Sequence, residues 1–244
     1  MLYLVKSGLK AEHRNSFLGY FWWLLDPLLN AIVYYFLVVV ILKRGGENYG
    51  LFLVVGLVAW RWTSSVLGSS AKAITSHASI INQVYLPKAI FPITRTLSQT
   101  ANFLFGLIVI GIFLAFYGIV PGWQVIYLPL IMMTQLLMML VISLMIAFVS
   151  IFVRDIENII GHLTRVWFYA SPVIWEGGRL PDSYRWIVDI NPIAYLLDSY
   201  RNVLIYRSTP NVMGLTLIAT VSLVFISCLL FYYSRYEHKI IKSL

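Results

Sequence analysis

Residues 124–152 read QVIYLPLIMMTQLLMMLVISLMIAFVSIF, without a single Asp, Glu, Lys or Arg. As a helix this run is about 43 Å long, more than the roughly 30 Å of a bilayer's hydrocarbon core. Its apolar residues are continuous rather than alternating, which rejects a barrel strand and predicts a membrane-spanning helix. Working outward, comparable runs lie near 21–42, 51–71, 96–118, 158–175 and 212–234. Together they predict an all-α, polytopic membrane protein with six transmembrane helices in a single domain over 1–244. The composition agrees: 60% of residues are hydrophobic, 16% aromatic and only 11% charged, with mean hydropathy +0.81. A soluble domain of 244 residues has too little interior for so much apolar surface.

The charges orient the spans. With both termini on one side, that side holds Lys6, Lys10, Arg14, Lys72, Lys88, Arg95, Arg154, Arg165, Arg235, Lys239 and Lys242. The other side holds Lys43, Arg44, Arg179, Arg185, Arg201 and Arg207, nearly balanced by Glu47, Glu176, Asp182, Asp189 and Asp198. The positive-inside rule makes the richer side cytoplasmic, termini included. The net charge of +8 then reflects topology and anionic lipid, with no nucleic-acid partner.

The first twenty residues lack the apolar core and cleavage site of a signal peptide. Leu2, Val5 and Leu9 set against Lys6, Lys10 and Arg14 predict an amphipathic helix over 1–20 on the membrane surface. In the first run, Asp26-Pro27 has the form of a helix start, but only about 24 Å of helix would remain to Leu42. A helix running through a kink at Pro27 fits better. Cys228, the single cysteine, excludes an intrachain disulfide and reads as core packing.

Arg61, inside Trp60-Arg61-Trp62, falls about 15 Å into the second run, near mid-membrane. A charge there needs protein, water or an anion beside it. Either a backbone carbonyl or the Asn30 amide serves it structurally, or it faces a wet cavity that receives anionic or polar cargo. The stretch from Ser69 to Arg95 mixes Ile74, Ile80, Ile81, Val84, Tyr85 and Leu86 with polar residues and carries Pro87 and Pro92. It reads as a cytoplasmic helix docked on another protein or lying on lipid, stopped by those prolines. From 176 to 210 the helical pieces are short and broken at Asn191-Pro192, as in a re-entrant hairpin dipping in from outside. Ser171-Pro172 allows a bend just before it.

No G-x-x-x-x-G-K-[ST] phosphate loop, H-E-x-x-H pair, cysteine pair or G-x-S-x-G elbow occurs. ATP hydrolysis, metal binding and nucleophilic catalysis are therefore not expected of this chain. Asp26 is the only carboxylate within a run, which leaves little for proton coupling.

RNSFLGYFWWLLDPLL (14–29), GLVAWRW (56–62), INQVYLPKAIFP (81–92), VRDIENI (153–159), WFYASPVIW (167–175) and DINPIAYLLDSYRNVL (189–204) follow one another along the chain. In that order they resemble the ABC transporter type-2 permeases that export bacterial polysaccharides, the membrane subunits of O-antigen and teichoic acid exporters. The resemblance implies a homodimer in the bacterial plasma (inner) membrane. Each copy pairs with a separate ATPase subunit that binds ATP and Mg, and the chain itself needs no cofactor. It makes 1–20 an interface helix and 73–92 a coupling segment contacting the ATPase through His77, Ile80, Ile81, Gln83, Tyr85 and Pro87. It makes 177–207 a pair of external gate helices around Pro172, Asn191 and Pro192. The family commonly has an uncharged residue where this chain has Arg61.

A lipid-linked polysaccharide is the expected cargo. Sugar rings present C–H faces to aromatic faces, and a sliding polymer is better served by many weak contacts than by one tight pocket. Tyr34, Trp60, Trp62, Trp167 and Tyr169 are the candidates for lining the channel, or else belong to lipid-facing belts. Arg61 is expected to meet a lipid carrier's pyrophosphate through paired N–H donors. The rival readings are a drug or lipid exporter of the same architecture, an intramembrane glycan-processing enzyme, and a scaffold subunit with no pathway.

Overall fold

The computed structural model describes residues 22–41, 43, 46, 48–77, 81, 86–153 and 155–236. The surface helix expected over 1–20 lies outside them. Among the described residues the chain forms helices and no strand. Helix α1 (Trp22–Tyr35) runs through Pro27 and widens into a π-helical stretch, Phe36–Ile41. Then come α2 (Tyr49–Ala71), α3 (Ile90–Phe116), α4 (Leu128–Val149) and α5 (Ile156–Ala170). The short α6 (Trp186–Asp189), α7 (Pro192–Leu204) and α8 (Val212–Arg235) complete the order.

Four stretches are long and apolar enough to cross a membrane: α2, α3, Trp123–Val149 including α4, and α8. The sequence predicts six, and α1 and α5 are the two that fall short. In α1 the apolar stretch Leu25–Ile41 is shorter than a full span. Helix α5 has 15 residues because Ser171 turns to extended backbone (φ −100°, ψ 145°) ahead of Pro172, the conformation a following proline enforces. Helix α3 begins at Ile90, so Pro92 lies in its first turn instead of ending the cytoplasmic segment. A first-turn proline costs no hydrogen bond, because that N–H has no helical acceptor.

Helix α2 is the axis of the bundle and packs against α1, α3, α4, α5 and α7. Its closest neighbour is α3, where Gly106 lets the backbone approach; a Cβ there would lie 2.6 Å from Val58 Cγ1. Gln135 on α4 donates to the Ala59 carbonyl and to Thr63 Oγ1, each at 3.1 Å. Ser70 and Ser143 join the same helices lower down at 2.7 Å. Bonds of this kind between membrane helices stabilise by about 0.6 to 2 kcal/mol each, since lipid offers the polar groups no alternative.

Below this core, Ala73, Ile74, Ile81, Phe91, Leu144, Ala147 and Tyr233 form a second apolar cluster. Helix α8 lies chiefly on α4, tied by the Tyr233 hydroxyl donating to the Leu144 carbonyl at 2.8 Å. Cys228, read as core packing, is exposed on α8. The reason is that α8 is peripheral and most of its surface meets lipid.

Candidate functional site: a charged aromatic cleft and an asparagine clasp

Asp26 and Arg61 are the only charges in the first two apolar runs, and the structure pairs them. Arg61 Nη2 donates to Asp26 Oδ2 at 2.5 Å, binding α2 to α1. The partner is this carboxylate, one turn before the Asn30 amide that the sequence reading considered; Asn30 instead donates to the Asp26 carbonyl at 2.8 Å. Both side chains stay partly exposed, 39% for Arg61 and 34% for Asp26. Two cavities meet at Arg61, and Asp26 lines the first of them. One, of about 420 Å³, is lined by Asp26, Arg61, Trp62, Ser69, Gln99 and Asn102 among others. The second, of about 400 Å³, lies between α1, α2 and α5 and includes Tyr34, Trp60, Arg61, Arg165 and Tyr169.

The expected channel residues therefore divide. Tyr34, Trp60, Arg61 and Tyr169 share the second cavity. Trp62 lines the first and is otherwise buried, stacked on Phe103 at 4.4 Å between centroids. Trp167 stands behind Trp60 in an edge-to-face pair at 6.1 Å, and its indole N–H points elsewhere, to Asn191. Trp60 also packs on Phe168 at 5.6 Å, which contacts Tyr34 at 5.6 Å. These contacts make one aromatic wall across α1, α2 and α5. On α5, Asn158, His162, Arg165 and Tyr169 are all exposed and fall on one helical face.

Asn191 is the clasp between α5 and α7. Its Oδ1 accepts from the Ile193 amide (3.1 Å), capping α7, and from Trp167 Nε1 (3.0 Å). Its Nδ2 donates to Ser171 Oγ at 2.8 Å. One side chain thus joins the three proposed gate positions: its own, Pro192 as the first residue of α7, and the Ser171-Pro172 bend. Beside it, Arg201 is almost wholly buried, donating to the carbonyls of Pro172 (2.7 Å) and Val173 (2.9 Å). Its guanidinium carbon lies 3.5 Å from the Phe52 ring centroid. Burial lowers the Arg201 pKa to about 10, with Asp198 opposing the shift, so the side chain remains charged at neutral pH. Burial likewise pushes the Asp198 carboxyl up, against the pull of Arg201.

Sequence reasoning placed Arg201 among the external charges and missed its role. The signal was its spacing on α7: Ile193, Leu197 and Leu204 define an apolar face on which Arg201 also falls. It missed Asp26 as the partner of Arg61 although the two lone opposite charges in neighbouring runs pointed to it.

Of the coupling positions, His77 closes a 3-10 turn, Thr75–His77, and stacks on Phe91 at 4.9 Å. Ile81 is buried in the lower cluster and anchors the segment to its own chain. Pro87 is exposed. Ile80, Gln83 and Tyr85 lie outside the described residues. An ion pair of 2.7 Å between Lys72 and Glu157 joins the end of α2 to the first turn of α5.

The ABC-2 type transporter family matches residues 1–205. The chain is 29% identical to the O-antigen export system permease protein RfbA of Myxococcus xanthus, over 92% of this chain and 87% of that protein. Two proteins of the same name from Klebsiella pneumoniae are 27% and 28% identical, each over 83% of this chain and 79% of their own length.

Proposed function

The chain belongs to the ABC-2 type transporter family, and from that premise we propose that it is the membrane subunit of an ATP-driven exporter of an O-antigen-type, lipid-linked polysaccharide. The cargo follows the three relatives named as O-antigen export permeases. Two copies form the pathway in the inner membrane, each with six spans and cytoplasmic termini; α1 and α5 supply the two spans beyond the four of full length. A partner ATPase binds ATP and Mg.

The observation that carries this reading is the open cleft of α1, α2 and α5, where Tyr34, Trp60 and Tyr169 stand beside Arg61. Aromatic faces hold pyranose C–H faces weakly, so a chain of sugars slides past them. The exposed polar face of α5 supports a wet pathway, because such a face is costly against lipid. Facing a second copy across that water, it forms half of the channel wall. Trp62 and Trp167 support this wall from behind.

Residues 73–92 carry the stroke. ATP closure in the partner presses on His77, Ile80, Gln83, Tyr85 and Pro87, while Ile81 transmits the push into the lower cluster. The Lys72–Glu157 pair lets α2 and α5 move together as rigid bodies. The gate helices over 177–207 answer through Asn191, which links the α5 wall to α7.

The test is genetic and then biochemical. Deletion of this gene in its host should abolish surface O-antigen, and the wild-type gene should restore it. In the complex with its ATPase, Trp60→Ala and Tyr169→Ala together should lower polymer export about 10-fold, the loss of roughly 1.4 kcal/mol of stacking, with ATP turnover retained. Normal surface polysaccharide in the deletion strain overturns the reading.

A further inference from the structure

Helices α2 and α5 run antiparallel in a register that the structure states at two levels. Lys72 pairs with Glu157 at 2.7 Å at the lower end, and Trp60 meets Trp167 at 6.1 Å higher up. Arg61 stands about 16 Å above Lys72 and Arg165 about 12 Å above Glu157, at 1.5 Å per residue. The two arginines are therefore within a turn of the same level along the bundle, and both line the 400 Å³ cavity. Among the described residues no carboxylate lines that cavity. Asp26, in the adjoining one, engages Arg61. Arg165 has no ion-pair partner among the described residues.

Two cations against one carboxylate leave the open cleft with an excess positive charge that attracts an anion entering it. The missing counter-ion is expected from outside the chain. A planar guanidinium offers paired N–H donors to phosphate oxygens. Arg61 gives only one of its nitrogens to Asp26, which leaves the remainder of its fork to a second acceptor.

We propose that Arg61 and Arg165 form a mid-membrane site for the diphosphate of the lipid carrier, and that Asp26 is a resident competitor that keeps its binding reversible. The proposal rests on the lipid-linked cargo given above. A passing anion must be attracted strongly enough to arrive and weakly enough to leave. Two unopposed arginines would trap a diphosphate. Asp26 reclaims Arg61 as the phosphate moves on, and the partial exposure of both side chains makes the exchange cheap in water.

The experiment uses the complete complex with its ATPase in nanodiscs of phosphatidylethanolamine. The probe is geranylgeranyl diphosphate, with the uncharged alcohol geranylgeraniol as control, and binding is read from tryptophan fluorescence, to which Trp60 and Trp62 beside Arg61 contribute. Arg165→Gln, exposed and unpaired and thus safe for folding, should weaken diphosphate binding at least 10-fold. Asp26→Asn should tighten it at least 5-fold and slow export. Alcohol binding should stay within 2-fold throughout. Diphosphate affinity within 2-fold of wild type in Arg165→Gln, or an equal change for the alcohol, overturns the site. Inorganic pyrophosphate as competitor separates the two sources of the same chemistry: displacement at similar concentration means a free phosphate ligand, and none means a lipid-borne one. Charge-dependent binding in a complex that exports no polysaccharide refutes the proposed cargo alone. Export with charge-independent binding refutes the site alone.

Discussion

Helix α2 and helix α8 look alike in the sequence and live in opposite surroundings. The central stretch of α2 has mean hydropathy 1.5 and is 83% buried, whereas that of α8 has 2.4 and is 11% buried. The less hydrophobic helix is the inner one. In a soluble protein this order would be reversed; in a bilayer, lipid accepts leucine as readily as a protein interior does. What draws α2 inward is its polar and small residues. Arg61 requires Asp26, Thr63 accepts from Gln135, Ser70 bonds Ser143, and Gly56 admits Arg201. On helix α8 the Thr216, Thr220 and Ser227 hydroxyls turn back onto its own backbone, the Tyr233 hydroxyl reaches another helix, and Leu217, Val221, Val224 and Phe225 stay exposed.

The contrast can be broken most sharply at Arg201. Arg201→Met removes a buried charge and leaves the Pro172 and Val173 carbonyls without donors. It should cost about 3 kcal/mol through the lost charge-assisted bonds and ring contact, read as a fall in unfolding temperature of the purified complex. A loss below about 1 kcal/mol would mean that this clasp between α2 and α7 does not hold the bundle's outer end. Next in size is Gly56→Ala. Its Cβ would stand 2.6 Å from Arg201 Nη2 and 2.7 Å from the Val173 carbonyl oxygen, and overpacking of that kind costs about 1–3 kcal/mol. The smallest effect is expected on α8, where Val224→Ala should shift stability by no more than about 0.5 kcal/mol in the same melt. A larger loss there would show that α8 has a protein partner on its outer face.

Much of this was legible in the residues. The all-helical character and the apolar runs needed only run length and the cost of an unpaired amide in hydrocarbon. The break at Asn191-Pro192 was visible too, because proline cannot continue a helix from the preceding turn and asparagine caps the next one. Arg61 stood out as a lone charge. Its partner did not, since Asp26 lies thirty-five positions away and the match depends on how α1 leans on α2. Ile81 looked like a docking residue by its spacing. Apolar spacing marks a face to be covered, and here the chain covers it with its own Phe91 and Leu144.

The sequence by itself determined that the chain is helical and membrane-embedded, and that it carries no phosphate loop. Those properties depend on local length, hydropathy and motif, each readable along one dimension. Tertiary structure decided which helix is central, that Asp26 answers Arg61, that Arg165 shares its cavity, and that Asn191 and Arg201 tie α7 to the bend at 171–173. Lipid exerts almost no pull between one apolar helix face and another, so the arrangement rests on a few polar groups and close backbone approaches, whose partners only three dimensions reveal.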